Sequence, residues 1–332
     1  MWQLGICASV ISSVVTFYVI PRLLKIAHKI GAIDAPDGRI KVHSKATPYL
    51  GGLGIYIGFI TALALTFPFV NTLFLFLVGC TLLLFVGLID DLTPLSPLQK
   101  IIGQSVAVFC FLKAGFYLKE GFFHHVWGIP ISFFWILTVI NAFNLIDVMD
   151  GVTTTVTFYA TLFFMLYAYF SGSATVFLLL AAFIGTLPAF FWYNKPVARI
   201  YLGDSGALFI GGFMGALPFL LEWRLFSAYG FIAPLLILGI PLIELTSLIL
   251  IRSYLQIPFY HGSPHHFCLY LKRKGWSVFQ ILLFISGVSS VLGTLGLTVA
   301  LGMLPFNYFL LSSIIALLFW IVFIFTDFFS KK

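Results

Sequence analysis

Long apolar runs punctuated by Gly, Pro, Asn or charged residues occupy about 4–26, 51–69, 71–89, 100–118, 128–146, 153–171, 174–193, 205–221, 228–251, 278–300 and 304–326. A membrane helix needs about 20 mostly apolar residues to cross roughly 30 Å of hydrocarbon, so each run is long enough to be read as a crossing. The pattern predicts an all-α, polytopic integral membrane bundle of ten or eleven transmembrane helices. The choice turns on the close pair at 51–69 and 71–89, divided by Pro68 and Asn71. The first run has no basic residue before Pro21 and no small-residue cleavage site, so it reads as a crossing and not a signal peptide. No soluble domain, repeat or low-complexity segment interrupts the pattern, which makes residues 1–332 one integral membrane domain.

Composition narrows the class further. Hydrophobic residues make up 61% of the chain and charged ones 9%, with a mean hydropathy of +1.09, which excludes the ordinary soluble classes. The net charge of +7 sits in loops between apolar runs and forms no stripe or tail of the kind that grips nucleic acid. Cys7, Cys80, Cys110 and Cys268 lack CxxC spacing, so neither a disulfide framework nor a zinc site is indicated. Threading eleven crossings with the N-terminus outside puts fifteen of the 18 Lys and Arg residues on one side, leaving Lys113, Lys119 and Arg224 opposite. By the positive-inside rule the fifteen-residue side is cytoplasmic, and the protein belongs in the plasma (inner) membrane.

The same threading brings Asp90, Asp91, Asp147, Asp150 and Asp204, each at the end of an apolar run, to that cytoplasmic surface. Carboxylates at a membrane boundary are costly unless paired, hydrated or bound to a cation, so five on one face point to a cation site or an ion pathway. A transporter keeps such groups near the bilayer midplane, whereas these lie at the water boundary, where a soluble and a lipid-borne substrate can meet.

Four segments carry the candidate chemistry. In GLIDDLTPLS, Asp90 and Asp91 project about 100° apart on a helix and do not act as one bidentate pair; the plain alternative is a solvated helix end. In NAFNLIDVMDGV, Asn141, Asn144, Asp147 and Asp150 recur every three residues and share one face if the helix continues, either as a nucleoside and cation stripe or as helix-to-helix hydrogen bonds. In NKPVARIYLGDSG, the turn at Asp204 offers backbone N–H groups and a helix N-terminus to a phosphate, with Asp204 left to hold a metal; GDSG is equally a good helix cap. In HGSPHHFCLYLKRKG, His265 and His266 lack the spacing of a helical zinc pair and suit phosphate contact, while Lys272, Arg273 and Lys274 suit headgroups or topology. Lys45 and His43 add positive charge to the same face, and Glu244 reads either as a packing acid or as a site group.

Taken in order, DAPDGRIKVHSKATPYLGG, GLIDDL, NAFNLIDVMDG, NKPVARIYLGDSG and the HH loop resemble the polyprenyl-phosphate N-acetylhexosamine-1-phosphate transferases over about residues 34–277. The resemblance implies a helical bundle, often a homodimer, whose partners are a UDP-sugar, a polyprenyl phosphate and the surrounding membrane lipid, with no nucleic acid. It implies Mg2+ as cofactor with Asp204 as its ligand, and Asp90, Asp91 and Asp204 as catalytic residues, the first Asp acting on the lipid phosphate. It also implies substrate contacts from Lys45, Asn144, Asp147, Asp150, Asn194, Tyr201, His265 and His266. Ser263 stands where the family loop often has a first histidine, and this argues against the phospho-N-acetylmuramoyl-pentapeptide branch. The activity implied is transfer of N-acetylhexosamine-1-phosphate, foremost N-acetylglucosamine-1-phosphate, to undecaprenyl phosphate with release of UMP, which would initiate a cell-envelope glycan such as lipopolysaccharide or another cell-wall polymer. The competing classes are a transporter of a lipid phosphate and a structural scaffold; the scaffold would have no reason to gather five carboxylates on one face.

Overall fold

A computed structural model describes residues 1–34, 47–67, 71–119, 126–258, 263–305 and 307. It is an all-α bundle. Helix α1 covers Trp2–Ile30; a minimal antiparallel pair, β1 (Ile33–Asp34) and β2 (Thr47–Pro48), follows, with Ile33 opposite Pro48. Then come α2 (Gly51–Thr66), α3 (Asn71–Leu92), α4 (Pro97–Lys113), α5 (Gly128–Ile146) and α6 (Val152–Phe170). Helices α7 (Ala174–Ile184) and α8 (Thr186–Asn194) make one span broken at Gly185, and α9 (Gly203–Ala216) runs on into a 3-10 turn. The remainder is α10 (Ala233–Ile237), α11 (Gly239–Tyr254), α12 (Phe267–Arg273) and α13 (Val278–Ala300).

Helices occupy ten of the eleven apolar runs, and the run at 304–326 lies outside the described residues apart from its first positions. The count of ten or eleven crossings is nevertheless too high for what is described. Seven helices are long and apolar enough to span a membrane, eight if α10 and α11 are one span bent by 68°. Helices α2 and α4 have 16 and 17 residues. At about 1.5 Å per residue they fall short of roughly 30 Å of hydrocarbon. An apolar run measures hydrophobicity, not helix length: the runs at 51–69 and 100–118 outlast their helices, which end at Thr66 and Lys113.

Helix α9 is the axis of the bundle. Every residue from Ser205 to Ala216 is buried, and α3, α5 and α2 pack around it. Its sequence GALFIGGFMGA permits this: between apolar helices, small residues let backbones approach closely enough to gain dispersion contact. At Gly52 a Cβ atom would lie 2.2 Å from the backbone of Gly206, and at Gly87 one would lie 2.3 Å from the carbonyl oxygen of Asp204. Phenylalanines fill the deeper layer, with Phe183 and Phe213 stacked at 4.2 Å and Phe59 edge-on to Phe213.

Gly52→Ala should therefore lower the thermal midpoint of the detergent-solubilised protein, by about 1–3 kcal/mol in overpacking. Gly287→Ala, where an added Cβ meets nothing within 4 Å, should leave it unchanged. Equal midpoints for the two variants would show that the close contact of α2 with α9 is not limiting.

Candidate functional site

The end of α3, the start of α4, the end of α5 and the start of α9 meet at one end of the bundle, as the alternation of apolar runs requires. The α3–α4 turn is made by its own sequence. Pro97 occupies the first turn of α4, and Ser96 and Gln99 form a reciprocal capping box. Asp90 ties the turn to α3 by accepting the Leu95 N–H at 2.7 Å through Oδ1. This brings Lys100, one turn into α4, back over the end of α3.

Asp90 and Asp91 take different tasks, as their 100° separation predicts. Asp91 faces α9 and accepts the backbone N–H of Asp204 through Oδ1 at 2.8 Å and that of Ser205 through Oδ2 at 3.0 Å. The N–H groups expected to meet a phosphate are thus taken by a neighbouring helix's carboxylate. Gly203 has φ of 75° at this turn, where a Cβ would sit 2.6 Å from both the Asp91 carboxylate and the Tyr49 carbonyl. The segment before α2 is fastened to the same turn: Tyr201 N–H donates to Pro48 O at 2.8 Å, Gly51 N–H to Tyr201 O at 3.0 Å and Gly52 N–H to Leu202 O at 2.9 Å.

Asp90 and Asp204 share one ammonium. Lys100 Nζ forms an ion pair with Asp90 Oδ2 and donates to Asp204 Oδ2 at 2.7 Å, while Asn144 Nδ2 donates to Asp204 Oδ1 at 2.6 Å. Both oxygens of Asp204 are therefore engaged, one from α4 and one from α5. Sequence alone counts Lys100 only among the fifteen cytoplasmic Lys and Arg residues; the signal that finds it is the short Pro-containing turn that folds α4 back beside Asp90. Among the described residues no group of three or more His, Cys, Asp and Glu side chains gathers as a metal cage. What the site presents to a cation is hard carboxylate oxygen at Asp90 and Asp204, a donor type suited to Mg2+, which is commonly held by one or two carboxylates with substrate phosphates.

The polar stripe of the second motif breaks up. Helix α5 stops at Ile146, Asp147 is its C-cap, and the turn to α6 carries Asp150 off the helical face. The four polar residues diverge: Asn141 donates to Gln104 at 2.9 Å, Asn144 faces Asp204, Asp147 accepts from Thr153 Oγ1 at 2.8 Å and Asp150 accepts from Ala198 N–H at 3.0 Å. Asn194 is buried and braces two backbones, accepting from Gly151 N–H at 2.9 Å and donating to Ile200 O at 2.9 Å. Asp150 and Asn194 thus hold the 194–200 loop against the start of α6.

The histidine loop is organised by α11. Buried Glu244 accepts from His266 Nδ1 at 3.0 Å and from Phe267 N–H at 3.3 Å, and Arg252 Nε donates to Ser263 Oγ at 3.1 Å. His266 is thereby a buried anchor, and Glu244 a group that shapes the loop. His265 beside it is held below the usual histidine range by burial and by the charges of Arg273, Arg252 and His266. Lys45, His43 and His261 lie outside the described residues.

Asp147 titrates abnormally. Burial, with the nearby charges of Asp204, Asp91 and Asp150, pushes its carboxyl up to about 7 against the opposing Thr153 hydrogen bond. A carboxyl raised in the fold holds its proton where the unfolded chain has lost it, so its contribution to stability is present at low pH and lost as pH rises through about 7. Thermal midpoints of the wild type should fall more steeply between pH 5 and 8 than those of Asp147→Asn. Parallel curves would place the Asp147 carboxyl in an ordinary environment.

The stretch 73–222 matches the model for glycosyl transferase family 4. The chain is 27% identical over 301 residues to a probable undecaprenyl-phosphate N-acetylglucosaminyl 1-phosphate transferase of Bacillus subtilis, covering 86% of this chain and 84% of that protein. It is 28% identical over 333 residues to the phospho-N-acetylmuramoyl-pentapeptide-transferase of Streptococcus pneumoniae D39, covering 89% of this chain and 98% of that one. The matched stretch contains the carboxylates, Lys100 and Asn144 that converge at one end of the bundle. Both relatives and the family model support the resemblance of this chain to the polyprenyl-phosphate N-acetylhexosamine-1-phosphate transferases.

Proposed function

We propose that this protein transfers N-acetylglucosamine-1-phosphate from UDP-N-acetylglucosamine to undecaprenyl phosphate at the cytoplasmic face of the membrane. The observation that carries the reading is the Asp90–Lys100–Asp204–Asn144 cluster at the meeting point of four helix ends. It has charge and directed hydrogen bonds but no activated serine or cysteine, which suits phosphoryl transfer, a reaction catalysed by positioning and electrostatics.

In the reaction an oxygen of the lipid phosphate attacks the sugar-bearing phosphorus of the nucleotide. The bond from that phosphorus to the bridging oxygen breaks, and UMP leaves with the oxygen. The lipid phosphate, with a second pKa of about 6, is already largely ionised at neutral pH, so Asp90 orients it and does not need to act as a strong base. Lys100 offsets charge gathering on the transferred group. Asp91 holds the α9 turn in place, and Asn144 fixes the rotamer of Asp204. Asp147, Asp150 and Tyr201 serve the nucleotide and His265 meets phosphate; a nucleotide contact from Lys45, outside the described residues, rests on the resemblance alone. Mg2+ on Asp204, once bound with substrate, supplies neutralisation of the diphosphate. The donor sugar follows the Bacillus relative's name and the Ser263 departure in the histidine loop.

Purified protein should release UMP from UDP-N-acetylglucosamine in the presence of undecaprenyl phosphate and Mg2+, and not from UDP-N-acetylmuramoyl-pentapeptide. Asp204→Asn should lose most of that activity while remaining folded, at about tenfold per 1.4 kcal/mol of lost transition-state stabilisation. Turnover of the pentapeptide donor alone would reassign the substrate, and absence of UMP from every UDP-sugar would overturn the reading.

Removal of the shared ammonium is the sharper test of the cluster. Lys100→Met should reduce kcat by about a hundredfold, the scale of a lost electrostatic contact. A Lys100→Met enzyme with wild-type kcat would confine Lys100 to topology.

A further inference from the structure

One level deeper than the carboxylates, a polar pair crosses from α4 to α5. Gln104 is 1% exposed and lies on α4 among Ala107, Val108 and Phe111, where an apolar side chain would pack at no polar cost. A buried amide without a partner is costly, and in the interior of a membrane bundle no water makes up the loss. The oxygen of Gln104 meets that cost with a directed bond: its Oε1 accepts from Asn141 Nδ2 at 2.9 Å, the same amide that also donates to Leu137 O at 2.8 Å.

The position of this rung is what gives it meaning. Gln104 follows Lys100 by four residues, one helical turn on the same face of α4. Asn141 precedes Asn144 by three, again one turn on the same face of α5. The next rung towards the site is therefore Lys100 and Asn144, which grip opposite oxygens of Asp204 at 2.7 and 2.6 Å. A change in the spacing of α4 and α5 cannot keep both grips.

We propose that Gln104 is a positioning residue: its bond to Asn141 sets the separation of Lys100 and Asn144 across Asp204, and thereby the geometry of the phosphoryl-transfer site. The inference rests on the function proposed above. Gln104 touches no reacting atom and acts only through its neighbours.

The test compares the purified full-length wild type with Gln104→Leu, Gln104→Glu, Lys100→Met and the double variant Lys100→Met/Gln104→Leu, reading kcat, KM for UDP-N-acetylglucosamine and thermal midpoint. Gln104→Leu should lower kcat by about tenfold with KM changed by less than about twofold, since misplacement of catalytic groups acts on turnover. Gln104→Glu, which keeps an acceptor for Asn141, should recover most of that loss. In the Lys100→Met background Gln104→Leu should lower kcat by clearly less than it does in the wild type, since only the Asn144 grip is left to disturb, while shifting the midpoint as it does in the wild type, an outcome that a purely structural role does not give. Unchanged kcat in Gln104→Leu, or an equal further loss on top of Lys100→Met, overturns the proposal. Should Gln104→Leu not fold, Gln104→Met is read in the same way. A wild type without turnover would count against the proposed function and not against this inference, which is then read from an experimental structure of the leucine variant. Withdrawal of Lys100 or Asn144 from Asp204 supports the inference, and both bonds intact overturns it.

Discussion

The structure depends on the way Asp91 closes the N-terminus of α9. The first N–H groups of a helix have no partner within it, and the helix end carries partial positive charge. Here that end is wedged between other helices, with Ser205 fully buried. Asp91 meets two of those N–H groups with one carboxylate. The bond orients the turn that carries Asp204, and through Asp204 it sets where Lys100 and Asn144 converge. It also separates the roles of two adjacent acids. Residues one apart on a helix differ by about 100°, so if Asp91 is turned to α9, Asp90 has to face the opening where Lys100 arrives.

Close packing of helices makes that convergence possible. Polar groups carried on four helices meet within hydrogen-bond distance only where the backbones nearly touch, and the contacts of Gly52 with Gly206 and of Gly87 with the Asp204–Ser205 backbone provide this. Apolar packing and the polar site are therefore one design problem: a methyl group at either glycine would displace the helix end on which the carboxylate sits.

Much of this was legible in the sequence. The apolar runs located ten helices, and their alternation sent five acids to one end of the bundle, because that deduction needs only parity and hydrophobicity. Helix ends were harder. Nothing in NAFNLIDVMDG states that α5 stops at Ile146, since Asp147 sits well as a C-cap and equally well on a continued polar face, and tertiary bonds to Thr153 and Ala198 decide the matter. Lys100 was hidden for a similar reason. A lysine near a membrane boundary is explained by topology until the turn at Pro97 is known to fold it back onto Asp90. Among the described residues fewer than ten helices are long enough to cross, because α2 and α4 are apolar but short and because the ninth run bends at Leu238.

The balance of charge at the site links this architecture to its chemistry. Asp90, Asp91, Asp147, Asp150 and Asp204 crowd the ends of α3, α5 and α9, and Lys100 is the ammonium bonded among them. Burial, with the charges of Asp204, Asp91 and Asp150 nearby, pushes the Asp147 carboxyl up to about 7. A diphosphate brings further negative charge to the same place, and in a poorly solvated setting like charges repel strongly. On the proposed reading the excess of carboxylates is useful because it selects a substrate that arrives with a cation. Asp90 and Asp204 would hold that cation, which would supply neutralisation of the diphosphate, and Lys100 would be left to offset charge gathering on the departing UMP.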